Sequence, residues 1–260
     1  MRAKKSLGQN FLSHKGVLRA MVHAARIQPG TFVVEIGPGK GSLTRELLAA
    51  GAKVTAIEKD SRLIPLLEMT FEKEIAEGNL SIIHDDILLL GEGFLPKEDF
   101  IVVANIPYYI TGQIFRLFLE AEHKPKSIVL MTQKEVADRV VARDGKESVL
   151  SLSVKLFGKP KIIQKVQKEL FSPKPKVDSA ILLIDEITRE TISAQEKEVF
   201  FALVKTAFNQ KRKTVGKSLK QFLEKNPEMF TKSQIDPKDR PEDIPLSKWL
   251  SIVRLFQHEP

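Results

Sequence analysis

The sequence contains no cysteine. Disulfides, thiolate zinc sites and a cysteine nucleophile are therefore excluded, and the composition fits a reducing compartment. The histidines, His14, His23, His84, His123 and His258, lack metal-ligand spacing, so no metal site is expected. No apolar run approaches the roughly 20 residues that span a bilayer. The basic stretch Met1 to Asn10 lacks the apolar core of a signal peptide. A cytoplasmic protein without a membrane partner is the expectation. Acids are missing locally as well. The first 34 residues contain Arg2, Lys4, Lys5, Lys15, Arg19 and Arg26 and no acid. Val199 to Leu223 contains Lys205, Lys211, Arg212, Lys213, Lys217 and Lys220, again with no acid.

What is present bounds the rest. The 260 residues, 42% hydrophobic and 28% charged, suffice for one large α/β domain and a smaller one. The 41 Lys+Arg exceed the 33 Asp+Glu, for a net charge of +8. Such a surplus favours a polyanion through counterion release. The two acid-free segments, with Lys174 and Lys176 around a proline loop, are expected to face RNA phosphates. Basic runs also occur as merely solvated faces, and for Lys211 to Lys213 the two readings are even.

Short apolar strands alternate with helical stretches through the first two-thirds of the chain. Thr31 to Ile36, Lys53 to Glu58, Leu80 to His84, Phe100 to Ala104 and Ser127 to Thr132 read as buried parallel strands. Gly41 to Ala50, Ser61 to Ile75 and Thr111 to Glu120 carry helix-spaced apolar residues between them. That rhythm predicts a doubly wound α/β sheet. Lys134 to Ala142 and Val149 to Phe157 read as helices, and Lys161 to Val166 and Ala180 to Asp185 as a hairpin at one sheet edge. Pro173 and Pro175 make Ser172 to Lys176 a surface loop. From about Glu186 the pattern is helical, over Ala194 to Phe208, Val215 to Glu224 and Ser247 to Phe256. The expected domains are therefore 1–185 and 186–260.

Two motifs carry chemistry. Val33 to Ile36 runs into Gly37-Pro38-Gly39-Lys40-Gly41, where Gly37 and Gly39 allow close backbone approach to a ligand. Glu58 ends the next strand, placed to accept hydrogen bonds from ribose hydroxyls. Asp85-Asp86 closes the third strand, where an Asp can bond an adenine amino group. These features leave NAD(P) and S-adenosylmethionine both open. The second motif, Asn105-Ile106-Pro107-Tyr108, follows the fourth strand. An aromatic amine is a poor nucleophile because its lone pair is delocalised. The Asn105 carboxamide oxygen and the Ile106 carbonyl can each accept one of its N–H groups and favour a pyramidal nitrogen. Pro107 fixes the turn and Tyr108 can stack on the base. Phe171 is expected to form a second wall, with a plain core phenylalanine as the nearly equal alternative. This motif favours methyl transfer from S-adenosylmethionine to an unpaired or flipped-out base. A nicotinamide dehydrogenase would have no use for it.

With these residues in place the chain resembles the ribosomal RNA adenine N6-dimethyltransferases that act near the 3′ end of small-subunit rRNA. The resemblance rests on Lys5 to Leu12, Glu35 to Gly39, Asn105 to Tyr108, Gln133 to Ala137 and Pro175 to Ser179. It implies a Rossmann-like, seven-stranded class I methyltransferase sheet with a small C-terminal helical domain. It implies that 1–185 binds S-adenosylmethionine and catalyses, and that 186–260 serves RNA. Asn10 and Leu12 would close over the cofactor, and Gly37, Glu58, Asp86 and Asn105 would contact it. The implied activity is dimethylation of two adjacent adenosines in a hairpin loop of an immature small ribosomal subunit, by a monomer. The related large-subunit methylase of macrolide resistance shares the glycine turn and the Asn-x-Pro-Tyr motif. A non-catalytic assembly factor on the same fold is the rival from another class. The sequence departs from the family at Lys40, where an apolar residue is more usual, at Asp85 and at Tyr109.

Overall fold

The computed structural model describes residues 9–188, 192–210 and 212–256. Arg2, Lys4, Lys5, Lys211, His258 and the Lys5 to Gly8 part of the N-terminal motif lie outside the described residues. The chain divides into two units, Met1–Ala137 with Gly158–Arg189, and Asp138–Phe157 with Glu190–Pro260.

The first unit is built on a seven-stranded sheet. Its strands are β2 (Phe32–Ile36), β3 (Lys53–Glu58), β4 (Leu80–His84), β5 (Phe100–Asn105), β6 (Ser127–Gln133), β7 (Lys159–Val166) and β9 (Ser179–Asp185). Their order is β4-β3-β2-β5-β6-β9-β7. The first five in that order are parallel, and β9 and β7 are antiparallel to their neighbours. The parallel core is apolar on both faces because helices cover both. Val33, Val54, Ala56, Ile101 and Val103 pack with Leu18 and Met21 of α1 (Lys15–Ala24) and with Leu43 and Leu47 of α2 (Ser42–Ala49). On the other face Phe100 lies 6.5 Å, centroid to centroid, from Phe118 of α5 (Thr111–Leu119). The edge strand β7 is protected by its exposed lysines and by a bulge at Ile162/Gln164.

The seven strands, the βαβ rhythm and the final hairpin follow the sequence pattern. Three details do not. The single helix expected over Ser61 to Ile75 is two, α3 (Ile64–Thr70) and α4 (Glu72–Ala76), broken where Phe71 turns inward at φ −121°. A small antiparallel pair, β1 (Phe11–Leu12) with β8 (Phe171–Ser172), has no signal in the sequence because two residues are too short for a period. Ser172 therefore belongs to a strand and not to the loop.

The second unit corrects the expected boundary. A cut at 185/186 misses Asp138–Phe157, which groups with the C-terminal helices. The physical reason lies in its hydrogen bonds and packing. The Glu147 N–H donates to the Glu242 carbonyl (2.7 Å), and α7 (Val149–Lys155), started by a Ser148–Ser151 capping box, packs against α8 (Ala194–Phe208). The division at 137/138 falls within α6 (Lys134–Val141). The unit also contains α9 (Val215–Ser218), α10 (Lys220–Lys225), α11 (Met229–Lys232) and α12 (Leu246–Leu255). Its centre is Trp249, fully buried, whose indole N–H donates to the Ile244 carbonyl (3.2 Å).

Gly41 joins β2 to α2 at φ +78°, and a Cβ there would fall 2.4 Å from the buried Phe71 ring. Gly41→Ala is expected to cost about 2–4 kcal/mol, the sum of left-handed strain and overpacking. Urea denaturation of the two proteins measures it, and a loss below measurement error would contradict the packing.

Candidate active site

The strand ends of the first unit open into a cavity of about 330 Å³, within the size range of small-molecule sites. It lies at the carboxyl ends of the parallel strands, beside the β2/β5 boundary where the strand order reverses. Its walls come from the strap ahead of α1, the glycine turn after β2, and the segments that follow β3, β4 and β5.

Glu58 is the pivot of one wall. Its carboxylate accepts the Gly39 N–H (3.0 Å) and the Asp60 N–H (2.8 Å), so it holds the glycine turn against the end of β3. Burial pushes its pKa up, while those two N–H groups oppose the shift. Asp60, which the sequence did not single out, is also buried. The Arg62 guanidinium grips it with bonds of 2.8 and 2.6 Å, and Gln9 donates to it at 2.9 Å. These contacts, Arg62 first, outweigh burial and hold its carboxyl well below the usual range. Asp86 pairs with Lys59 and accepts the Leu88 N–H. Burial opposes its ionisation, but those partners hold its pKa below normal.

At the end of β5 the Asn105 side-chain N–H donates to the Asn10 carbonyl (3.3 Å). That bond directs the amide nitrogen toward the strap and leaves its oxygen as the acceptor. Pro107 turns the chain at φ −57°, ψ 132° into a single 3₁₀ turn, Tyr108–Ile110. The Tyr108 hydroxyl shares a 2.7 Å hydrogen bond with Ser179 at the start of β9, which fixes the ring from its far end. Burial raises the Tyr108 pKa and the Ser179 contact opposes that.

Asn10, Leu12, Gly37, Glu58, Asp86, Asn105, Ile106, Pro107 and Tyr108 all line this cavity. Phe171 does not. It is 4% exposed, belongs to the core beneath the sheet, and pairs through its backbone with Leu12. The expectation of a second aromatic wall at Phe171 is therefore corrected: pairing with the strap turns it into packing. The aromatics that line the cavity are Phe11, Tyr108 and Tyr109, the last 67% exposed. Phe11 was also missed as an individual residue. Its ring covers Gly39 and carries the Lys40 ammonium at 4.9 Å from its centroid. Among the cations expected to face RNA, Arg19 pairs with Glu46, Arg26 with Asp185 and Lys174 with Glu169. Absence of local acids is thus no guide to absence of acid partners.

Glu35, on β2, also lines the cavity, at 1% exposure. Its carboxylate makes no well-formed hydrogen bond among the described residues, and the hydroxyl and N–H of Thr44 on α2 are the polar groups that approach it. Burial pushes its pKa up to about 8, with Thr44 opposing the rise and Glu58 adding to it. The cavity thus has an acidic side at Glu58 and Asp86, a cleft under backbone turns, and a buried carboxyl at its floor. The group implied by the sequence, S-adenosylmethionine, fits that donor set: a nucleoside with two hydroxyls and an exocyclic amine, joined to a zwitterionic tail.

Comparisons with known proteins point to one family. A family profile described as "Ribosomal RNA adenine dimethylase" matches residues 1–258. The chain is 39% identical to the ribosomal RNA small subunit methyltransferase A of Dehalococcoides mccartyi (strain CBDB1), over 100% of this chain and 90% of that protein. It is 38% identical to the protein of the same name from Lactobacillus acidophilus, covering 98% and 91%. A crystal structure of a dimethyladenosine transferase from Plasmodium falciparum matches with TM-score 0.78 at 29% identity, covering 95% of this chain and 97% of that one. The 23S rRNA methyltransferase ErmE matches with TM-score 0.78 at 27% identity, covering 96% and 100%. Among the described residues no helix is long and apolar enough to cross a membrane, and no group of three or more His, Cys, Asp or Glu is placed to hold a metal ion.

Glu35 makes a prediction about stability. Its folded pKa is raised from 4.5 to about 8. Between those values the folded chain keeps a proton that the unfolded chain releases, so stability falls as pH rises through that window. The melting temperature of the cofactor-free protein is expected to drop by several degrees from pH 5.5 to pH 8. Glu35→Gln should flatten most of that slope, leaving the part due to Glu58. Equal slopes for both proteins in a scanning-calorimetry series would contradict an isolated buried carboxyl.

Proposed function

Because the chain belongs to the ribosomal RNA adenine dimethylase family, we propose that it dimethylates N6 of two adjacent adenosines in the 3′-terminal hairpin loop of small-subunit rRNA. It is an S-adenosylmethionine-dependent rRNA methyltransferase with a class I fold. The target is the RNA of an assembling small ribosomal subunit, met by a monomer in the cytoplasm. One observation carries this reading. Asp86, Glu58, the glycine turn and Asn105 stand at the ends of four neighbouring strands, β4, β3, β2 and β5. Three strand spacings span about 14 Å, the length over which an extended nucleoside–amino acid cofactor is laid with its reactive end at Asn105.

When bound, S-adenosylmethionine supplies an electrophilic methyl carbon. The protein's own residues do the rest by placement. Asp86 takes the adenine amine, Glu58 the ribose hydroxyls, and the backbone at Gly37 the tail, with Asn10 and Leu12 closing the strap side and Asn105 bordering the reactive end. The Asn105 oxygen and the Ile106 carbonyl accept the two N–H groups of the target amine. Tyr108, anchored by Ser179, offers its ring to the base. The acceptors at this strand end are neutral, so they orient the amine and leave its acidity to the reaction. The 1–185 region, without the 138–157 excursion, is the catalytic part. The C-terminal helices with Arg212, Lys213, Lys217 and Lys220 serve the RNA.

The fold does not separate small-subunit from large-subunit specificity, since ErmE matches with the same TM-score as the dimethyladenosine transferase. Sequence favours the small subunit, at 39% identity over the whole chain.

Asn105→Ala is expected to lower turnover on immature small subunits by roughly 100-fold or more, the scale of losing one oriented transition-state contact. Binding of S-adenosylhomocysteine should change far less. Mass spectrometry of adenosines in the treated rRNA reads the activity. Near-normal turnover would refute the role of Asn105, and dimethyladenosine confined to large-subunit RNA would overturn the substrate.

A further inference from the structure

Among the described residues five large hydrophobic side chains are exposed, Met69, Leu89, Tyr109, Ile163 and Val177, and of these only Tyr109 lines the cavity. Exposed apolar residues scattered singly over a surface need no explanation. An aromatic ring left 67% exposed at the rim of a site is a different matter, because its face is offered to whatever enters. Tyr109 directly follows Tyr108 in the 3₁₀ turn Tyr108–Ile110. Successive residues of such a turn are rotated by about 120° around its axis. The two rings therefore diverge and cannot close on opposite faces of one base. They are also held differently. Tyr108 is half-buried and tied through its hydroxyl to Ser179. Tyr109 makes no such bond among the described residues. The charged group near its phenol is Lys59, whose side chain pairs with Asp86 and still faces solvent. A free π face beside an exposed cation suits a single-stranded nucleotide, with the base on the ring and the phosphate toward the ammonium.

We propose that Tyr109 is a positioning residue for the RNA: the nucleotide next to the target stacks on its ring while the target base lies at Tyr108 and Asn105. This rests on the reading of the site as one that methylates two adjacent adenosines of rRNA. Taking a target base out of its stack leaves its neighbour with one face bare. A ring just outside the cavity, turned away from Tyr108, replaces the lost stacking partner and limits how far the strand enters. Stacking reads the face of a base and not its edge, so the contact tolerates any base and favours the larger purines. The same ring therefore serves whichever of the two adenosines is reacting, since each brings a different neighbour to it.

Steady-state methylation of immature small subunits tests this, with Tyr109→Ala and Tyr109→Phe beside the unmodified protein. The side chain is exposed, so neither substitution disturbs the core. Tyr109→Ala should raise KM for the RNA roughly ten-fold and leave kcat within about two-fold. Binding of S-adenosylhomocysteine, read by calorimetry, should not change. Tyr109→Phe keeps the ring and should restore KM. Subunits reconstituted with rRNA that carries uridine in place of one or the other adenosine locate the contact. In one of these two RNAs the ring meets the smaller base, and there the Tyr109→Ala loss should shrink to about three-fold. An unchanged KM in Tyr109→Ala, no rescue by Tyr109→Phe, or an equal loss on all three RNAs would overturn the inference and leave the proposed function in place. Weaker S-adenosylhomocysteine binding in step with the lost activity would also overturn it and assign the ring to the cofactor. If the unmodified protein leaves the small-subunit adenosines unmethylated, the substrate reading falls and the inference falls with it.

Discussion

The carboxylate of Glu58 holds two backbone loops at once, and the cavity exists because it does. One oxygen takes the Gly39 N–H, the other the Asp60 N–H. Both donors sit in turns that cannot pair within the sheet, and without an acceptor they would be left unsatisfied at the strand ends. Burial makes the charged form of Glu58 costly, so these bonds are strong in proportion to the water they replace. The result is a glycine turn held in one position relative to β3. That position fixes where a ligand backbone can approach Gly37, and how far it lies from Asn105 on the other side.

The strap ahead of α1 is held by contacts of a different kind. Gln9 reaches Asp60, Asn10 receives the Asn105 amide, Phe11 lies on Gly39, and Leu12 pairs with Phe171. Each contact joins residues far apart in sequence. Together they turn a short apolar-polar segment into one wall of the cavity, and they draw Phe171 out of reach of it. The same economy applies to Tyr108. A tyrosine at a cavity edge swings freely unless its hydroxyl is bound, and Ser179 on an antiparallel strand binds it. The orientation of the Tyr108 ring therefore depends on β9 as much as on β5.

Charge is distributed by the same logic of partners. Arg19, Arg26 and Lys174 come from basic segments but pair with acids brought from other elements. Such pairing leaves fewer cations free for a polyanion than composition alone suggests. In the cavity Glu35, Glu58 and Asp86 come from β2, β3 and the end of β4, and of these only Asp86 is in an ion pair among the described residues, with Lys59. The two buried acids, Glu35 and Glu58, are costly to ionise in the empty fold.

The sequence by itself determined the strand–helix alternation, the five parallel strands, the glycine turn with Glu58 and Asp86 at successive strand ends, and the Asn105 to Tyr108 motif. These are legible because they are local: a period of two or 3.6, a glycine or proline at a turn, an acid at a strand end. It could not show that β1 and β8 pair, that Phe171 is packing and Tyr109 the exposed aromatic, or that Asp138–Phe157 leaves the sheet unit for the C-terminal helices. Nor could it show that Glu35 lines the cavity while Asp60 is buried behind the end of β3 in the grip of Arg62. Those facts depend on which distant segments share one buried volume, and only tertiary packing sets that, because the energy of a buried polar group is decided by its neighbours in space and not by its neighbours in sequence.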